Sequence, residues 1–183
     1  MKKHYKEEDI LHLKERTVFF DANIILSVFY TIDPNDWAQK NYSRVFSKLI
    51  ENQNKIAFDV IIVSEVINRA LRMEYKTYLR KNDIKENDLS FKIFRDSESG
   101  KYAWQKTREM MRDVIFPTFS VDEKSWNKDE IDRVLTQEGD FNDQLIASLC
   151  VEKNYVLLTN DADFRNDDLE VLSLNKVYFQ DQN

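Results

Sequence analysis

The sequence predicts an α/β fold, a mainly parallel sheet covered on both faces by helices. Two observations carry that expectation. Four short strand-like segments, "TVFF" at 17–20, "KIAFDVI" at 55–61, "YVLLT" at 155–159 and "LEVLSL" at 169–174, are separated by stretches with helical spacing. Strands that alternate with helices are joined by crossovers, which make them parallel neighbours. A chain of 183 residues that is 42% apolar and 13% aromatic can bury a sizeable core, so one domain over 1–183 is expected.

Each element has its own justification. "TVFF" is nearly all apolar, as a strand buried on both faces should be. In "NYSRVFSKLIEN", Tyr42, Val45, Phe46, Leu49 and Ile50 recur at helical spacing. After the second strand, Val63, Val66, Ile67, Ala70 and Leu71 do the same, with Ser64 as the candidate cap. Residues 72–126 interrupt the alternation with a helical, charge-rich middle, broken at Pro117 in "FPTF". Phe141, Leu145, Ile146, Leu149 and Cys150 line a helix that leads into the third strand. Cys150 is expected to be a small buried hydrophobe. Trp37, Trp104 and Trp126 are expected to pack rather than to form a binding box.

Composition removes several chemistries. Gly100 and Gly139 are the only glycines, which excludes GxxxxGK[ST] and GxGxxG phosphate loops. The only histidines, His4 and His12, lie in a charged leader, which argues against a Ser-His-Asp triad or a two-histidine nuclease. One cysteine excludes an internal disulfide framework and a multi-cysteine zinc site. The charged start leads into no apolar segment, and no run approaches the ~18 residues of a membrane helix. A soluble cytoplasmic protein without membrane contact is expected. Chemistry here must rest on carboxylates, amides and hydroxyls.

Charge is distributed unevenly. Residues 1–68 carry a net −1, residues 69–112 a net +5 and residues 113–183 a net −10. The basic middle reads either as solvated helices or as a patch for a polyanion. It interleaves cations with rings in "EYKTYLRK", "FKIFR" and "KYAWQKTR". Tyr75, Phe91, Phe94 and Trp104 are expected mostly in the core, whereas Arg69, Arg72, Lys76 and Arg80 are candidate contacts for that polyanion.

Four carboxylates fall where a parallel sheet would gather them. Asp21 ends the first strand and Asp161 follows the third. Glu65, with Ser64 as cap, and Asp143 sit in first helical turns. Singly, each has an ordinary reading as cap, dipole partner or turn residue. Together they would repel and raise one another's pKa, which a hard divalent cation with oxygen ligands relieves. Mg²⁺ or Mn²⁺ and metal-assisted phosphoryl chemistry follow from that.

"FFDANIIL", "VSEVINR", "DFNDQLIA" and "LLTNDADF", in that order, resemble the PIN-domain ribonucleases, particularly the toxins of VapBC-type toxin–antitoxin pairs. The resemblance spans nearly the whole chain. It implies a three-layer α/β/α sandwich, with 72–126 as a helical, basic elaboration. It implies that Asp21, Glu65, Asp143 and Asp161 form an acidic site for one or two Mg²⁺ or Mn²⁺ ions. Asn23 and Thr159 take supporting positions, Asp163 is the secondary acid of the last motif, and Asp140 is an extra carboxylate nearby. The implied activity is metal-dependent hydrolysis of RNA, leaving 5′-phosphate and 3′-hydroxyl ends. A cognate antitoxin and a homodimer are further implications. Asn160 stands where many relatives carry a basic residue. A haloacid-dehalogenase-like phosphatase is disfavoured, because Asn23 replaces the second aspartate that chemistry wants. The alternative to an enzyme is a catalytically silent PIN-like module that binds RNA or protein.

Overall fold

A computed structural model of the chain describes residues 3–30, 33, 35–164 and 168–180. From the N-terminus, β1 (His4–Tyr5) leads through a 3-10 segment, Glu7–Leu13, to β2 (Thr17–Phe20). Next come α1 (Ala22–Ile25), which widens into a π turn at Leu26–Tyr30, and α2 (Trp37–Glu51). β3 (Lys55–Phe58) and the long α3 (Val60–Lys81) follow. The helical middle holds α4 (Phe91–Asp96), α5 (Glu98–Met110), a π turn at Met111–Ile115 and α6 (Phe116–Thr118). β4 (Ser120–Val121), α7 (Lys128–Leu135), α8 (Phe141–Lys153), β5 (Val156–Leu158) and β6 (Glu170–Leu172) complete the framework. Among the described residues no helix is long and apolar enough to cross a membrane.

The six strands form one sheet in the order β1-β6-β5-β2-β3-β4, and every pairing is parallel. Val18, Phe19, Phe20, Ala57, Phe58, Leu157 and Leu158 are fully buried, as central strands covered on both faces require. From β2 the chain steps outward to β3 and β4, then returns to β5 on the other side of β2. Right-handed crossovers in opposite directions place α1–α6 on one face and α7–α8 on the other. Accordingly, α3 packs on α1, α4 and α5, while α7 packs on α8. The result is a three-layer α/β/α arrangement. Strand order reverses between β2 and β5, and such switch points open a crevice at the carboxyl ends of the strands.

Local chemistry explains where the boundaries differ from expectation. The second strand stops at Phe58 rather than 61, because the Asp59 carboxylate accepts the Ile62 N–H at 3.0 Å and opens α3 early. Such a cap contributes about 1 kcal/mol. Ser64 is therefore not the cap, and Glu65 lies in the second turn of α3, not the first. Two edge strands, β1 and β4, had no sequence signal, since two residues show no periodicity. β4 interrupts what had read as a purely helical middle. The break near Pro117 falls after Thr118 and carries Phe119 into the core, 5.0 Å from the Phe20 ring and 5.6 Å from that of Phe58.

In the helical middle, Tyr75, Leu79 and Phe94 form a small core of their own, with Phe91 packed against it. Most of the questioned rings thus pack. Trp104 and Trp37 do not follow the expectation, being 41% and 56% exposed. Trp37 opens α2 with its ring centroid 6.3 Å from that of the buried Tyr42, and Trp104 stands beside the buried Ala103 on α5. Gly100 is needed where α5 starts against α4, because a Cβ there would stand 2.5 Å from the Arg95 carbonyl oxygen.

Candidate metal centre

Asp21 is both the last extension of β2 and the first cap of a helix. Its N–H donates to the Leu158 carbonyl at 3.1 Å, prolonging the β2–β5 ladder by one rung. Its carboxylate accepts from the Asn23 N–H at 3.4 Å and so caps α1. Oδ2 also takes the Thr159 hydroxyl at 2.5 Å and the Asn23 side-chain amide at 2.6 Å. Only 4% of the residue is exposed. Burial pushes this carboxyl above its usual range, and the Thr159 and Asn23 donors act against that push.

Thr159 and Asn23 join the two strand ends. The Thr159 hydroxyl oxygen accepts from Asn23 Nδ2 at 3.1 Å and from the Asp161 N–H at 3.0 Å. Asn23 Oδ1 accepts the Asn160 N–H at 3.3 Å. One hydroxyl therefore ties the acid after β2 to the loop after β5. Asn160, uncharged where a basic residue was the comparison, has a structural task here. Its side-chain oxygen accepts the Tyr42 hydroxyl at 2.8 Å, and its carbonyl accepts Asn175 Nδ2 at 2.8 Å. The Tyr178 hydroxyl donates to the Asp161 carbonyl. Tyr42, Asn175 and Tyr178 carried no sequence signal for this role, since they are distant in the chain and Tyr42 reads as one more apolar-face residue.

The remaining acids come from helices. Asp140 caps α8, accepting from the Asn142 N–H at 2.8 Å and the Asp143 N–H at 3.4 Å. Asp143 follows in the first turn, half-buried. Its carboxyl is pushed up to about 7, first by burial and then by the charges of Asp140, Asp21, Glu65 and Asp161. Glu65 reaches in from α3, and burial raises its carboxyl as well, with Asp21, Asp140 and Asp161 adding to the rise. Asp161 Oδ1 accepts the Asp163 N–H at 3.1 Å, and Asp163 itself is exposed. A cavity of about 270 Å³, lined by Asp143, Gln144, Asp163 and Phe164 among others, adjoins the acids.

The cations are less gathered. Arg69 pairs with Glu65 at 2.5 Å, a one-turn spacing on α3 that the sequence pattern could have revealed. Arg72 lies over the Phe91 ring at 4.7 Å. Lys76 and Arg80 are exposed, about 16 Å and about 22 Å along the helix axis from Glu65.

As arranged, no three carboxylate, imidazole or thiol groups among the described residues stand close enough together to hold an ion. The donor chemistry nevertheless suits a hard divalent cation. All donors are oxygens, the acids raise one another's affinity for a proton, and Glu65 Oε2 is buried with no partner.

The half-buried Asp143 gives a measurable consequence in metal-free protein. A carboxyl held at about 7 when folded, against an ordinary aspartate value of 3.8, contributes stability that is complete below pH ~4 and is lost as pH rises through 7. Asp143→Asn removes that loss. In chelator, its melting temperature should exceed that of the wild type by about 2–4 °C at pH 8, solvent screening having limited the effect to about 1 kcal/mol. The gap should close toward pH 4. A gap that is constant from pH 4 to 8 would show that Asp143 does not titrate in this way.

Residues 18–168 match a family model described as PIN domain. A chain of the VapBC2 crystal structure from Rickettsia felis, bound to a DNA fragment from their promoter, has a similar fold at a TM-score of 0.50. The two are 17% identical, over 87% of this chain and 99% of that one. No curated protein matches the chain.

Proposed function

The chain belongs to the PIN-domain family, and on that premise we propose that it is a metal-dependent endoribonuclease, the toxin of a toxin–antitoxin pair. The observation that carries the reading is the arrangement at the β2–β5 switch point. There Asp21 is held by Thr159 and Asn23, within the electrostatic reach of Glu65, Asp143 and Asp161.

Asp21, Glu65 and Asp143 would hold Mg²⁺ or Mn²⁺, and Asp161 a second ion or a bound water. When bound, the ion supplies an activated water and charge stabilisation for the attacking and leaving oxygens of an RNA phosphodiester. Thr159 and Asn23 fix the rotamer of Asp21 and spare it reorganisation on ligation. Asp140 orients the first turn of α8 and hence Asp143. Asp163 is exposed and lines the adjoining cavity together with Asp143. The strongly acidic C-terminal third restricts any RNA grip to the basic α3–α5 side, where Arg72, Lys76 and Arg80 would meet phosphates. The fold likeness to a chain of the VapBC2 structure supports a cognate antitoxin as the partner.

A binding module that does not cut RNA is the second reading, favoured by one observation: the acids as arranged do not enclose an ion. An assay on mixed RNA with Mn²⁺, with chelator, and with Asp143→Asn decides between them. Cleavage in Mn²⁺ that disappears in the other two conditions is expected. Cleavage that survives both would remove the proposed site, and RNA binding without any cleavage would establish the module.

A further inference from the structure

Glu65 and Arg69 stand one turn apart on α3, a spacing at which an exposed ion pair is commonplace and needs no function. Three features set this pair apart. The Glu65 side chain is only 15% exposed, whereas that of Arg69 is 45% exposed, so the cation reaches inward from the rim. Glu65 bonds Arg69 through Oε1 alone, leaving Oε2 buried without a partner. The charge of Arg69 also reaches past Glu65 to Asp21, opposing the burial of both carboxylates. Asp21, Asp140 and Asp161 act on Glu65 with the opposite, negative sign. In the state described, a guanidinium supplies positive charge to both Asp21 and Glu65.

We propose that Arg69 is a resident counter-ion of the acidic cluster, which competes with a divalent cation for the Glu65 carboxylate. This rests on the metal-centre reading above. Arg69 then weakens metal binding in exchange for holding the metal-free site together. A guanidinium cannot lose its proton, so it competes with the ion across the whole physiological pH range. Once displaced, it remains at the mouth of the site as a planar, multidentate donor for a phosphate.

The test is Mn²⁺ titration by calorimetry, without RNA, on wild type, Arg69→Ala and Arg69→Lys, with thermal unfolding of each in chelator. Arg72→Ala serves as the control, because that cation sits on Phe91 rather than on an acid. Arg69→Ala is expected to bind Mn²⁺ about 3- to 10-fold more tightly and to melt at a lower temperature without metal. Arg69→Lys should fall between it and the wild type, and Arg72→Ala should match wild type in affinity. Unchanged or weaker Mn²⁺ binding by Arg69→Ala, with normal binding by the wild type, would make the pair an ordinary surface contact and overturn the proposal. Failure of the wild type to bind Mn²⁺ at all would instead remove the metal centre, and this inference with it. The two failures are therefore distinct.

Discussion

Asp21→Asn is expected to lower RNA cleavage by about 10³-fold or more, since a bound metal supplies several kcal/mol of transition-state stabilisation. The fold should survive the change. Asp21 is 4% exposed and its burial disfavours the charged form, so a neutral amide relieves a penalty in metal-free protein. The amide also fits the donors around it. Its oxygen can occupy the Oδ2 position, where the Thr159 hydroxyl and Asn23 Nδ2 both donate. Its NH₂ then falls at the Oδ1 position, where only the long 3.4 Å contact from the Asn23 N–H is lost. The variant should therefore melt at or slightly above the wild-type temperature in chelator, and gain little on addition of Mn²⁺. Cleavage within tenfold of wild type would show that Asp21 is a cap and nothing more.

Thr159→Val should reduce cleavage about 10- to 100-fold, the usual effect of removing a group that orients a metal ligand. Valine keeps the shape of this fully buried side chain and deletes only the hydroxyl. That hydroxyl donates to Asp21 and accepts from Asn23 and from the Asp161 N–H. Its loss frees Asp21 to rotate and leaves the Asp161 N–H without its acceptor. The associated destabilisation should be about 1–3 kcal/mol, the penalty for unsatisfied groups at a buried position. Thr159→Ser, which retains the hydroxyl and loses a methyl group, should recover most of the activity. If valine and serine cleave equally, the hydroxyl is not what positions Asp21.

Much of the fold was legible because it is written in local pattern. The central strands announce themselves as apolar runs, "TVFF" and "YVLLT", since a strand covered on both faces has no polar side to show. The helices α2, α3 and α8 announce themselves by spacing. The edge strands β1 and β4 did not, because two-residue strands exist only through the neighbour they pair with. The start of α3 was misread for a related reason. Ser64 and Asp59 are both competent caps, and the choice between them is made by where β3 leaves the sheet.

The candidate site divides in the same way. Chain order and spacing offer Asp21, Glu65, Asp143 and Asp161 as candidates, because a parallel sheet gathers its strand ends and the helices that follow them at one edge, and the family resemblance adds Asn23 and Thr159. No spacing shows that Tyr42, Asn175 and Tyr178 hold the loop after β5, since those contacts join segments remote in sequence.

The sequence by itself determined the α/β class, which follows from periodicity, and it supplied the oxygen-bearing side chains from which the proposed site is drawn. Only the tertiary structure decided that one buried hydroxyl joins Asp21 to Asp161, and that Asp143 is raised first by burial and then by four other acids. The tertiary structure also turned Glu65 toward Arg69. Burial and through-space charge depend on which distant segments meet, and a linear pattern carries no record of that.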